Sequence, residues 1–431
     1  MSELIRAVER NDIGAVKDLL TRLTIDDIDK QKTALMLAAQ KDDADIVQAI
    51  LASDKCTDAV IDAHDDHGNT AFMLAAVYGH DHVVRTFLES PKMKPQGKQR
   101  RSGEQQQMGG VAPVAHQGSR DPLNARNNTG LSALMLAAIN DHTDVVKQLL
   151  ESKYINVHER DTRGNTALML AAARGFDDVV ADLLKSEKCD AIVISTKNDT
   201  EDTALTLAVK AGFGHVVNAL LDSSKFNDFQ INRPNGKDEY KTALMLAVDA
   251  NNINIVQKLL ASPYTDATLY NANGDTALML AAEKGYDDIV NALLESDKEV
   301  DINHRNVQSK TALMLAAEKG YVNIVQKLLQ SPGINVGMTD LHGNTALMLA
   351  AKNGRTEVVQ AFLNSDIGNT AQNINNVITC QNGEPYTRRN TPLTVATRYA
   401  QVEVVRKLLT SPVIDINIMG YIWVNCSHVG C

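Results

Sequence analysis

Five cysteines and eleven histidines are the residues of this 431-residue chain best suited to nucleophilic or metal chemistry. Their spacing supports neither. The cysteines form no CxxC pair, so neither a zinc ribbon nor a disulfide framework is expected, and scattered free thiols fit a reducing compartment. Cys56 and Cys189 each stand 23 positions after the residue that opens a recurring apolar string, where other copies of the string have Ile155, Ile334 and Ile414. They read as small core residues, because a free thiol packs as a hydrophobe. His64, His67, His142, His158, His304 and His342 fall in polar turns or beside helix starts, which accounts for them without a metal ion. No GxSxG, HExxH or GxxxxGKT-type loop occurs, and Gly236-Lys237 lacks the upstream glycine of a phosphate loop. No catalysis, cofactor or metal is therefore expected. A catalytic domain also needs about 100 residues, and the longest stretch outside the recurring pattern is only residues 91–120.

That pattern is what must position any functional side chain. TALMLAA or a close variant opens at Thr33, Thr70, Ser132, Thr166, Thr203, Thr242, Thr276, Thr311, Thr345 and Thr391, and SELIRAV at Ser2 fits the same frame. Successive openings are 31, 37, 62, 34, 37, 39, 34, 35, 34 and 46 residues apart, so the common period is near 34 and the outliers read as longer loops. Each unit carries two short helical stripes. In the copy opened by Thr345, Leu347, Met348, Ala350 and Ala351 form the first, and Gly354 breaks the helix. Val358, Val359, Phe362 and Leu363 form the second. Thr345 stands where an N-cap hydroxyl belongs. Helices this short are marginal alone, so they must bury their stripes on neighbouring copies, as in a solenoid. Aromatic residues are 4% of the chain, which leaves Ala, Leu, Val, Ile and Met to build the core.

At this period and with this core the unit resembles the ankyrin repeat, over residues 2 to 418. The resemblance implies an all-α solenoid of about eleven helix–turn–helix repeats with short hairpin turns, spanning residues 1–420 and followed by a tail at 421–431. This chain departs from the family pattern in two ways. Most copies read T-A-L-M where the family has T-P-L-H, so that Met36, Met73, Met135, Met169, Met245, Met279, Met314 and Met348 replace the histidine. Only Thr391-Pro392-Leu393 keeps the proline. The mid-repeat glycine is replaced by Asp42, Asp141, Asn251 and Ala400. Ala tolerates a left-handed backbone poorly, so the last repeat should be the least regular.

The period breaks in two places. Residues 91–120 are rich in Pro, Gly, Gln and basic residues, with six cations against Glu104 alone, and are expected to be disordered. They read either as a tolerated surface loop or as a basic docking segment. A second excess, in the loop 366–389, includes Asn373 to Arg389 and reads either as an extended hairpin tip or as a slight separation of the last repeat. In the tail, Tyr421, Ile422, Trp423 and Val424 are apolar and read as cover for the last repeat or as a docking strand.

The formal net charge of −10 argues against a general nucleic-acid binder, which needs a basic face. There is no apolar run of membrane-spanning length and no signal-peptide pattern at the start. A monomer in the cytoplasm, or one delivered into a host cytosol, is expected. The resemblance implies a protein partner held at positions −4, −3, −1, +7 and +8 relative to the opening residue. Most of these are polar, as at Asp238, Glu239, Lys241 and Asp249. One neighbourhood over three adjacent repeats differs: His67, Val77, Tyr78, Leu131, Ile139, Arg163 and Arg174. Exposed apolar groups rimmed by Arg mark binding surfaces, although Val77 and Ile139 could equally pack against neighbouring helices. Arg388, Arg398 and Tyr399 form a lesser candidate. The function expected is a protein-interaction scaffold, either adaptor or effector, since arrays of this type resemble those abundant in protists and intracellular bacteria. The alternatives are a nucleic-acid-associated regulator acting through 91–120 and a structural spacer.

Overall fold

A computed structural model describes residues 3–22, 28–95, 120–236, 239–375, 378–379 and 389–416. It divides into two compact units, Met1–Gln230 and Ile231–Cys431. The first holds six helix pairs: Glu3–Glu9 with Ile13–Arg22, Ile28–Gln40 with Ala44–Ala52, Ala71–Tyr78 with Asp81–Glu89, Ala133–Ile139 with Thr143–Glu151, Ala167–Ala172 with Asp177–Lys185, and Ala204–Ala211 with Gly214–Leu221. The second holds five: Ala243–Asp249 with Ile253–Ala261, Ala277–Lys284 with Asp287–Glu295, Ala312–Lys319 with Val322–Gln330, Ala346–Lys352 with Thr356–Asn364, and Pro392–Arg398 with Val402–Leu408. Eleven pairs match the eleven copies of the motif. Within each unit first helices stack on first helices and second on second, as nearest-neighbour burial requires.

The hydroxyls that open the copies act as caps. Thr70, Ser132, Thr166, Thr242, Thr276, Thr311 and Thr345 each accept a hydrogen bond from the backbone N–H three residues on. Thr203 and Thr391 form reciprocal capping boxes with Thr206 and Thr394. Thr33 differs. Its helix starts earlier, at Ile28, and Thr33 Oγ1 donates to Asp29 O from inside it. The opening Ser2 lies outside the described residues. Met73, Met135, Met169, Met245, Met279, Met314 and Met348 are buried core fillers, and Cys56 and Cys189 are buried free thiols. Burial drives the Cys189 thiol up to about 11, which keeps it a thiol rather than a nucleophilic thiolate.

Asp42, Asp141, Asn251 and Ala400 all take the left-handed conformation of the glycines they replace, with φ between 52° and 62°. Ala400 leads into Val402–Leu408, the shortest of the eleven second helices. At the kept Gly79, Gly175 and Gly285 a ring of the next repeat requires it. A Cβ on Gly285 would come within 2.6 Å of the Tyr321 ring of the next repeat, and φ there is +77°. His142 makes the equivalent reach from the start of its second helix: Nε2 lies 2.7 Å from Val77 O of the preceding repeat.

The longer spacings are not loops alone. Each repeat of 37, 39 or 46 residues that is unbroken by 91–120 adds a short helix after its second helix: Asp58–Ile61, Ala191–Ser195, Asp228–Ile231 and Ala371–Ile374. Each buries an aliphatic residue, such as Val60, Val193, Ile231 or Ile374, beneath its own repeat. A single helical turn satisfies backbone groups that an open loop would leave to water. Ahead of the last repeat, Ile378 pairs with Asn390 and Thr379 with Arg389 in a two-residue antiparallel ladder, and residues 380–388, where a hairpin tip is expected, lie outside the described residues.

The ends of the 91–120 excess are ordered, and residues 96–119 lie outside the described residues. Pro91–Met93 is a 3-10 turn with Met93 buried. Lys92 Nζ donates to Ser53 O at 2.7 Å and Cys56 O at 2.9 Å. Arg120 pairs with Asp58 at 2.8 Å and Asp62 at 2.7 Å. Two of the six cations read as a basic docking segment therefore bind the preceding repeat. The lysine contact recurs: Lys225 donates to Ser186 O at 2.6 Å and Lys188 to Ser152 O.

Candidate protein-binding surface

In seven copies the turn before the first helix is built around one Asp or Asn. Asp161 Oδ1 accepts from the backbone N–H groups of Arg163 (2.9 Å) and Asn165 (2.7 Å). Asp65, Asn127, Asn198, Asn271, Asn306 and Asp340 do the same in their copies. Such side-chain-to-backbone bonds fix a turn locally. Backbone bonds then tie tip to tip: Asn128 N–H to His67 O, Thr162 N–H to Thr129 O and Asp199 N–H to Arg163 O in the first unit, and Ala272 to Glu239, Val307 to Asn273 and Leu341 to Gln308 in the second. In three copies whose turn residue is Asn, its amide also donates to the preceding tip: Asn127 to Asn69, Asn198 to Asn165 and Asn306 to Asp275. Asp161 has no such donor, and the preceding tip offers Leu131 instead of an acceptor. The tips are thus tied to one another through the backbone, while side chains such as His67 and Arg163 are exposed.

In the first unit, Tyr78 is 53% exposed and stacks on His80, with ring centroids 5.9 Å apart. His67, Arg163 and Arg174 are exposed, whereas Val77, Leu131 and Ile139 are half-buried. Val77 and Ile139 therefore pack against their neighbours in part and still present an edge. Val77 and Tyr78 end Ala71–Tyr78 and Ile139 ends Ala133–Ile139, while His67, Leu131, Arg163 and Arg174 flank these helices and Ala167–Ala172, and the three helices stack in succession.

In the second unit, Arg398 and Tyr399 are exposed, with Lys352 Nζ 5.3 Å over the Tyr399 ring; Arg388 lies outside the described residues. Upstream of them the structure opens a cleft of about 480 Å³ whose lining includes Asn273, Asp275, Val307, Lys310, Glu318 and Arg355. These are mostly the −4, −3, −1, +7 and +8 positions, yet the sequence did not single this stretch out. Its marker is the pair Val307 and Leu341, 64% and 68% exposed at the same position of adjacent tips. Nearby cations and acids pair tightly. Lys310 contacts Glu318 at 2.6 Å, and Asp249 takes both Lys241 and Lys284 at 2.7 Å. Burial opposes ionisation of Asp249, but these two ammonium groups outweigh it and hold its carboxyl below the usual range. Among the described residues no cluster of His, Cys, Asp or Glu could hold a metal ion, and no helix is long and apolar enough to cross a membrane.

The family model for ankyrin repeats in three copies matches residues 4–98, 114–195, 188–271, 264–340 and 313–419, so this chain belongs to the ankyrin-repeat family. Repeats of this family generally mediate protein–protein interaction and are typically non-enzymatic scaffolds. Among solved structures, the chain is similar to the ankyrin repeat domain of Bcl-3, described as a unique member of the IkappaB protein family. That likeness has 23% identity and a TM-score of 0.46, covering 52% of this chain and 95% of that one. No curated protein matches.

Proposed function

We propose that this chain is a scaffold that holds a partner protein along its turn tips and first helices. The observation that carries this is the tip-to-tip ladder. Backbone already tied from tip to tip loses little conformational freedom on binding. In the first unit the contact residues are His67, Val77, Tyr78, Leu131, Ile139, Arg163 and Arg174. Tyr78 supplies a large amphipathic anchor, and the two arginines rim it. The role is that of an adaptor or of an effector acting in another cell's cytosol. A nucleic-acid role through the 91–120 segment is disfavoured, because Lys92 and Arg120 are already engaged by the preceding repeat. Crosslinking capture from cell lysate, comparing the intact chain with Tyr78→Glu/Ile139→Glu, tests the site. Loss of the captured partner with an unchanged circular dichroism spectrum is expected. A partner retained by the double variant would remove this surface from consideration.

A further inference from the structure

Within the second unit, the seventh residues after the opening threonines run Asp249, Glu283, Glu318, Lys352 and Arg398, and the eighth run Ala250, Lys284, Lys319, Asn353 and Tyr399. The column therefore changes sign along its length. At its acidic end two of the three charges are answered internally, Asp249 by Lys241 and Lys284, and Glu318 by Lys310, while Glu283 has no ion pair among the described residues. At its basic end they are not. Lys319, Lys352, Arg355 and Arg398 have no carboxylate within ion-pair distance among the described residues. Arg355 donates Nε–H only to the Glu318 carbonyl, at 3.1 Å, and Lys352 faces only the Tyr399 ring. Four unanswered cations on one side of a chain of net charge −10 call for an anionic ligand.

We infer that this basic end, continuous with the cleft at Val307 and Arg355, binds an extended polypeptide segment rich in Asp and Glu. Packed helices repeat at about 10 Å and an extended chain rises about 3.3 Å per residue. A carboxylate at every third residue therefore meets successive cations. Val307, Leu341 and Tyr399 supply apolar contact for the residues between. Asp275, Glu283 and Glu318 on the adjoining wall repel any anion, so a nucleic acid, charged at every unit, fits less well than a peptide whose carboxylates stand only opposite the cations. The inference names the partner chemistry for the scaffold reading above and rests on that reading.

The test uses the full chain and a fluorescein-labelled (Glu-Ser-Gly)4 peptide in fluorescence polarisation at low salt. A (Lys-Ser-Gly)4 peptide and a single-stranded DNA dodecamer serve as comparators. Binding of the glutamate peptide alone is expected. Affinity should fall at least tenfold in Lys352→Glu/Arg398→Glu and fall again as NaCl rises from about 50 to 300 mM. The milder Lys352→Gln/Arg398→Gln replaces that variant if it fails to fold by circular dichroism. No binding of the glutamate peptide, equal binding by the variant, or tighter binding of the DNA each overturns the inference. Crosslinking capture with the same variants separates the two levels. A partner captured equally by native and variant chains leaves the scaffold reading standing and sinks the acidic ligand, whereas no capture by either counts against the scaffold itself.

Discussion

Glu159 shows how one side chain can work against its own repeat. It is half-buried, and that burial raises its carboxyl above the ordinary value of 4.5. A hydrogen bond from Asn156 (2.7 Å) and Arg126 at 3.9 Å pull the other way without cancelling the shift. A carboxyl whose folded value is raised contributes stability below its unfolded value, and that contribution is lost as pH rises through the folded value. At neutral pH the buried charge is thus a liability. Glu159→Gln keeps an acceptor for Asn156 and removes the charge. The variant should be more stable than the native chain at pH 7, and the gap should close near pH 4, as read from urea midpoints at the two values. A native chain that is the more stable at pH 7 would show that Arg126 dominates.

At the scale of the element, the one-turn helices are the parts of the repeat that vary. Ala191–Ser195 is capped by Asp190, whose carboxylate accepts from Ile192 and Val193 N–H, both at 3.0 Å. Thr57, before Asp58–Ile61, makes no such bond. Asp190→Ala should cost about 1 kcal/mol and Thr57→Ala close to nothing, measured as differences in chemical unfolding. Equal losses would show that the buried Val193 and Val60, not the caps, hold these turns.

Most of the array was legible because its signals are local and recur. A hydroxyl before TALMLAA announces a cap, and Asp42, Asp141 and Asn251 keep the glycine's place in the frame. The short helices were not legible. Their apolar positions, such as Val193 and Ile194, are too few to show a helical period, so extra spacing looked like loop. The candidate site was half legible. The frame gave the tip positions that line the cleft in the second unit. Which of their charges remain unanswered depends on partners a repeat away, as Lys310 to Glu318 and Lys284 to Asp249 show, and no single copy of the motif reveals that.

For the molecule as a whole, stability depends on having a neighbour on each side. Leu329 is 4% exposed, and its counterpart Leu409 in the last repeat is 51% exposed. Val325 is likewise fully buried where Val405 is half-buried. No described segment covers this face. Leu329→Asp should cost about 3 kcal/mol or more, and Leu409→Asp less than about 0.5 kcal/mol, compared by urea denaturation. A large loss at Leu409 would mean that residues after 416 pack on it.

The contacts between repeats have one more consequence. Tyr321 closes over Gly285 and Asn306 reaches Asp275, and the preceding copy already carries a tyrosine, Tyr286, and an asparagine, Asn271, in those same two places. A duplicate of residues 271–305 spliced in after Arg305 would find a matching surface above and below it. Copy number is then a variable that unequal recombination within the gene can change without a misfit at the joins, and the distance between the two ends of a docking surface becomes something inheritance can tune in whole steps.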